Sequence, residues 1–339
     1  MFCANVVSVG NFACLIFSLF QLLDLLLFRL IMQQASIGLL PCQLPFVWLP
    51  PADLPPNIGQ QKEIVKRLLG PKMMKQTGWD TDSALYMDLI APRWRHCGEV
   101  FCGWGIVFAH CVRLGLSAFY YDLDIGGPCH NILTGSGLLF LIQNLLTIMC
   151  GGCVWFGIPC STWVWIARGH TQRTKANING NTHRQDVCQS NRMVDIIAML
   201  LDLLVLRGVF YVIEQPSTSL VWFHTKLRNH FRSKPKVQNA VLKKHHVWLG
   251  YFGHHVFKST TLVGIFPPLT TIYSHKRKSL LGGKIAWKKT VAKSGPKKGQ
   301  LRVSGTKDLK ATGRYPRKFG RAVAELIRST VANYSRHCH

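Results

Sequence analysis

Glu99-Val-Phe101-Cys-Gly103-Trp-Gly105-Ile106, read on through Ala109 and Leu114-Gly115 to Ala118-Phe-Tyr-Tyr121-Asp122, decides the fold of this 339-residue chain. An apolar run of strand length ends in a Gly-x-Gly turn, a helical pattern follows, and a second strand closes on an acid. That order is a βαβ unit suited to a nucleoside. The glycines let the backbone approach a ligand and start a helix, and an acid at the next strand end suits a ribose diol. Phe101, Gly103, Gly105 and Asp122 are therefore candidate cofactor-binding residues. A lone Gly-x-Gly carries little; here the acid follows it at the right distance and in the right order.

Two later stretches repeat the device of a reactive side chain just past a strand. Val154-Trp-Phe-Gly-Ile-Pro-Cys160-Ser-Thr-Trp163 ends a β-branched and aromatic run on a cysteine, and Tyr211-Val-Ile-Glu214-Gln-Pro216 ends another on a glutamate. In an open α/β sheet the ligand crevice lies at the carboxyl ends of the strands, so both side chains would face one crevice. A thiolate to add and an acid to neutralise the ring are what nucleophilic attack on an electron-poor heterocycle requires. The plain alternatives are a packed core thiol and a structural carboxylate. Between the two stretches, Met193, Ile196-Ile197, Leu200-Leu201 and Leu203-Leu204 have helical spacing and predict a helix over 192–207 packed on the sheet.

Charge is the strongest compositional signal. Forty-one Lys and Arg against 15 Asp and Glu give a formal net charge of +26, and from Lys226 onward the only acids are Asp308 and Glu325. His275-Lys-Arg-Lys278, Lys288-Lys289, Lys297-Lys298 and Arg314-Tyr-Pro-Arg-Lys318 crowd this region. Such clusters neutralise phosphates and release counterions, and Trp287 and Tyr315 among them are placed to stack on bases. A merely solvated basic surface is the alternative. Residues 168–192, with Arg168, Arg173, Lys175, Gly180 and Arg184, read as a mobile loop that closes on the nucleic acid.

Together these motifs resemble the cytosine-5 DNA methyltransferases that use S-adenosylmethionine. Phe101-Cys-Gly103-Trp-Gly105 is similar to that family's cofactor loop, Asp122 to its ribose-binding acid, Pro159-Cys160 to its catalytic Pro-Cys, and Glu214-Gln-Pro to its Glu-Asn-Val. Phe319-Gly320-Arg-Ala-Val-Ala-Glu-Leu-Ile327 is similar to the late helix that returns over the cofactor, so the resemblance runs from about residue 97 to 330 in the family's order. Three positions depart from it. Ile106 replaces a further glycine, Asn131 stands where an aspartate usually contacts the adenine, and Tyr251 to Thr260 holds no Gln-x-Arg-x-Arg strand, leaving Lys258 in the place of one arginine. The resemblance implies a Rossmann-like methyltransferase fold, α/β with a mostly parallel sheet, helices on both faces and a small basic inserted region. It implies S-adenosylmethionine as cofactor, held by Phe101, Gly103, Gly105, Asp122 and Asn131. Cys160 and Glu214 are then catalytic, and Arg168, Arg173, Lys258, Lys288, Lys289, Lys297 and Lys298 bind nucleic acid. DNA is the expected substrate; RNA, or a degenerate fold that only binds nucleic acid, are the alternatives.

Five regions follow: a hydrophobic N-terminal segment (1–40), a linker with accessory helices (41–95), the catalytic core (96–264), the basic recognition region (265–313) and the closing helix and tail (314–339). Residues 11–32 have the length of a membrane span, although Asp24 and Arg29 would each be costly near a bilayer centre. Pro41 to Pro56 reads as linker and Gln60 to Leu69 as a short amphipathic helix. Twelve scattered cysteines read as reduced thiols in an intracellular protein, nuclear or cytoplasmic, with anchoring through 11–32 left open. Cys150-Gly-Gly-Cys153, His245-His246 and His254-His255 lack partners at ligand spacing, so no metal is expected, nor any obligate protein partner.

Overall fold

The computed structural model describes residues 58–77, 94–256, 258–273, 287–291, 293–296, 298–299, 301–305 and 312–334. The expected span over 11–32, the linker over 41–56 and Lys297 lie outside them.

Six strands form the central sheet: β1 (Arg95–Val100), β2 (Ala118–Tyr121), β3 (Ile148–Phe156), β4 (Phe210–Pro216), β7 (Lys243–Trp248) and β8 (Ser259–Ile265), in the order β2-β1-β3-β4-β8-β7. The first four are parallel, and β8 runs against both β4 and β7. The fold is thus α/β with a mostly parallel mixed sheet. Parallel strands are covered on both faces and read as continuous apolar runs. Val154, Trp155 and Phe156 on β3 and Phe210 to Ile213 on β4 are accordingly buried.

Crossovers between parallel strands are right-handed, so the direction of travel decides the face on which a helix lies. From β1 to β2 the chain moves one way through α2 (Ile106–Arg113). From β2 to β3, and from β3 to β4, it moves the other way through α3 (Gly135–Leu146) and α4 (Gln185–Leu206). These two helices therefore cover the opposite face. Strand order reverses between β1 and β3, which makes that gap the switch point of the sheet.

α4 buries Val194, Ile197, Leu200, Leu201 and Leu204, the three- and four-residue spacing of the sequence. It ends at Arg207, whose buried guanidinium donates to Gln61 Oε1 at 2.9 Å and to the Leu146 carbonyl at 2.6 Å. One side chain thus ties α4 to the end of α3 and to α1 (Ile58–Thr77), a helix interrupted at Gly70 and Pro71. α1 buries Val65, Leu68 and Leu69 and packs on α3 and α4. α5 (Thr225–Arg232) and the short pair β5 (Lys236–Val237) and β6 (Ala240–Val241) fill the path from β4 to β7.

The basic region contributes an antiparallel pair, β9 (Trp287–Val291) and β10 (Leu301–Gly305). The last helix, α6 (Arg317–Tyr334), buries Phe319, Gly320, Val323, Ala324 and Ile327 and packs along α2 and against β3. Among the described residues no single helix is long and apolar enough to cross a membrane.

Candidate active site

Register brings the strand ends level. Val100 pairs with Phe156 and Phe156 with Ile213, and the Gly157 amide donates to the Val100 carbonyl at 2.9 Å. One residue further along, Phe101, Gly157 and Glu214 therefore form a row across the switch point. Phe101, Gly103 and Gly105 all have φ near +57° (57°, 54° and 59°), which turns the backbone sharply out of β1 and into α2. Glycine adopts that conformation without strain, whereas a phenylalanine there is uncommon. A methyl group added at Gly103 would meet nothing, so the turn faces open space; one added at Gly157 would come within 2.9 Å of the Phe101 carbonyl and 3.1 Å of the Tyr315 hydroxyl.

Asp122 lies beside that turn. Its Oδ2 accepts from the Gly103 amide at 2.8 Å and its Oδ1 from the Asp124 amide at 2.9 Å. The acid that the sequence placed one strand away is thus in contact with the glycine loop. His130 supports it: its Nδ1 accepts from the Asp122 amide at 3.1 Å, and its ring stacks on Tyr121 and Phe140. Burial pulls the His130 pKa down, in keeping with a neutral, accepting ring. Asn131, next in the chain, accepts from the Leu133 amide through Oδ1 at 3.0 Å.

Glu214 is buried and every contact it makes is with a donor. Lys258 Nζ lies 3.3 Å from Oε1, Thr260 Oγ1 donates to Oε1 at 3.1 Å, and the Tyr315 hydroxyl donates to Oε2 at 3.0 Å. None of these contacts uses a carboxyl proton. Both carboxyl oxygens thus lie against donors. The next residue fixes the neighbouring loop: the Gln215 amide donates to the Ile158 carbonyl, and Ser219 donates to Gln215 Oε1 at 2.9 Å. Cys160 follows Ile158 and Pro159 and is only partly buried. Burial pushes its thiol pKa up, the Lys258 charge opposes that and the Glu214 charge adds to it. The resting group is a thiol with a cation at hand. Beyond it the Cys160 carbonyl accepts from Trp163 and Val164, and Thr162 donates to Ser190 on α4 at 2.7 Å.

Several residues stand elsewhere than the sequence placed them. Arg173, expected on nucleic acid, is fully buried. Its guanidinium lies 3.5 Å from the centre of the Trp163 ring and donates to the Ile178 carbonyl at 2.6 Å and to Asn191 Oδ1 at 2.7 Å. It therefore ties this segment to α4 and to the Cys160 loop, and of the stretch 168–192 expected as a loop, 168–171 and 185–192 are helical. Lys258 is spent on Glu214 inside the crevice. Tyr315, expected to stack on bases, is buried. Arg168, Lys288, Lys289 and Lys298 are exposed, as phosphate contacts require.

Glu99 was not singled out, although it opens the decisive stretch. It is buried on β1 and accepts from the Phe108 amide at 2.7 Å, in the first turn of α2, while its Oε1 is buried without a hydrogen-bond partner among the described residues. Burial pushes its pKa up to about 8. Its place near the end of a strand, shortly before the Gly103 turn, was the available signal. No group of three or more His, Cys, Asp or Glu among the described residues is arranged to hold a metal ion. The sequence matches no family model and no curated protein.

Proposed function

We propose that this chain transfers a methyl group from S-adenosylmethionine to carbon 5 of cytosine in nucleic acid, DNA in preference to RNA. One observation supports the proposal: Phe101, Gly157 and Glu214 lie level across the switch point, with Glu214 paired to Lys258 at 3.3 Å, the turn after Phe101 held by Asp122 at 2.8 Å, and Cys160 three residues past Gly157. A mostly parallel sheet with its switch point between β1 and β3 is compatible with the Rossmann-like fold of the cytosine-5 methyltransferases, which the motifs resemble.

The residues at the turn fit the cofactor. Gly103 faces open space, Asp122 keeps lone pairs for ribose hydroxyls beyond the two amides it binds, and Leu123 and Ile125 are exposed beside it as apolar surface. Asn131 offers its amide nitrogen where the family carries an acceptor. The target base swings out of its stack into the crevice. Cys160 gives its thiol proton to the Glu214 carboxylate and forms a bond from Sγ to ring carbon 6, and Glu214 passes that proton to nitrogen 3 while Lys258 offsets the charge that develops there. Carbon 5 is thereby made nucleophilic. S-adenosylmethionine, when bound at the turn, supplies the electrophilic methyl that this carbon accepts. Water takes the carbon 5 proton, the freed electron pair restores the ring double bond and expels Sγ, and the proton on nitrogen 3 returns through Glu214 to the Cys160 sulfur. Exposed Lys288 and Lys289 on β9 and Lys298 beyond it would hold phosphates.

Oligonucleotides carrying 5-fluorocytosine test this, because fluorine at carbon 5 blocks the last elimination. The full chain with S-adenosylmethionine should form a denaturation-resistant adduct, and Cys160→Ala should form none. DNA and RNA versions run in parallel separate the two substrates. An adduct that survives Cys160→Ala would remove the nucleophile, and the absence of any adduct or methyl transfer with either polymer would leave a nucleic-acid-binding protein.

A further inference from the structure

We propose that Tyr315 is a positioning residue of the Cys160–Glu214 site, its hydroxyl fixing the Glu214 carboxylate and thereby the charge that Cys160 experiences. The inference deepens the methyltransferase reading and rests on it for its catalytic consequence. It comes from a buried phenol that the proposed chemistry leaves unused. Tyr315 lies in the segment between the basic region and α6, where sequence alone makes it a surface residue among cations. Its side chain instead enters the crevice.

Three contacts orient the hydroxyl. It donates to Glu214 Oε2 at 3.0 Å, accepts from the Trp155 indole N–H at 3.3 Å, and sits where only a glycine at 157 leaves room. The ring packs on Phe319, four residues on and fully buried, so α6 anchors it. With the proton given to Glu214 and the lone pair taken by Trp155, the hydroxyl has one orientation. Glu214 is then held from two sides, by Lys258 and Thr260 at Oε1 and by Tyr315 at Oε2. A carboxylate so clamped cannot rotate, which is what an incoming ring nitrogen needs from it. Burial and the neighbouring Glu214 carboxylate push the phenol pKa well up. Tyr315 therefore acts by hydrogen bonding and not by giving up its proton.

The charged and titratable groups that face this carboxylate are Lys258 from the β7–β8 loop, Cys160 from the β3 loop and Tyr315 itself, with Glu99 on β1 acting on the phenol and His254 on Lys258. Removing the hydroxyl leaves the Glu214 charge less compensated, and the Cys160 thiol must become harder to ionise.

The test compares the full-length protein with Tyr315→Phe, which keeps the ring against Phe319. Carboxamidomethylation of Cys160 by iodoacetamide is followed against pH at its own peptide by mass spectrometry. The alkylation limb should move up by about half a pH unit or more in Tyr315→Phe. The same substitution made in Glu214→Gln should move nothing further, because the hydroxyl then has no charge to hold. In methyl transfer, Tyr315→Phe should lower kcat about tenfold with KM for cofactor and oligonucleotide unchanged. A limb identical in wild type and Tyr315→Phe overturns the proposal, as does an equal shift with Glu214→Gln present, which would mean a merely structural effect. If the limb moves as expected but wild type neither methylates nor traps 5-fluorocytosine, the positioning role stands and the methyltransferase reading falls.

Discussion

Glu99 spends two properties on one turn of backbone: it caps α2 through the Phe108 amide, and it does so from a buried position that disfavours its charge. With a folded pKa of about 8 against an ordinary 4.5, the folded state holds a proton that the unfolded chain has released. Stability from this group is therefore complete below about pH 4.5 and lost as pH rises toward 8. Glu99→Gln accepts the same amide bond without the titration, at a cost that does not vary with pH. The difference in Tm between variant and wild type should move in favour of the variant from pH 5 to pH 8, and a constant difference would mean that Glu99 is ionised throughout. At this scale the sequence placed Asp122 directly after β2 and Cys160 just past β3, as the structure has them, whereas Glu214 lies within β4. The sequence misled where a charge is buried. Arg173 and Lys258 read as surface cations because such side chains are seldom enclosed. The Trp163 ring, the backbone carbonyls and the Glu214 carboxylate that enclose them come from distant parts of the chain and leave no local trace.

Among the helices, α6 approaches α2 closely. Gly320 faces Ile106, and a Cβ at 320 would lie 2.5 Å from Ile106 Cγ2 and 3.0 Å from the Ile106 carbonyl. The bulk of Ile106 is thus matched by a glycine across the helix pair. Gly320→Leu should force α6 off α2 and cost about 1–3 kcal/mol, as overpacking does. Urea unfolding measures this, and an unchanged midpoint would mean that α6 slides without loss. The helices α2 and α4 and the strands β2 to β4 were legible from their own apolar patterns, while α6 was expected only from the resemblance of Phe319 to Ile327. The hairpin of β7 and β8 was not. Lys243-Lys-His-His begins β7 with a polar edge, and nothing local tells β8 to run backwards between β4 and β7. Only the pairing of residues far apart in sequence fixes that direction.

Across the whole molecule the charge is one-sided, 41 basic side chains against 15 acidic, and the exposed β9 lysines belong to the acid-poor half of the sequence. Affinity for any nucleic acid should fall steeply with salt. Replacing Lys288, Lys289, Lys297 and Lys298 by Gln should flatten the dependence, each lost phosphate contact lowering the logarithmic slope by about 0.7 on a single strand or 0.9 on a duplex, with cofactor binding unchanged. A slope equal to that of wild type would make these lysines a solvated surface. The Tyr315 contact has a consequence of another kind. The hydroxyl meets a carboxylate 101 residues earlier and an indole 160 residues earlier in the chain. During synthesis, Cys160 and Glu214 are made long before the phenol that completes their setting and the helix that anchors it. The surroundings of Glu214 therefore stay incomplete in a growing chain until Tyr315 and the helix that anchors it have followed.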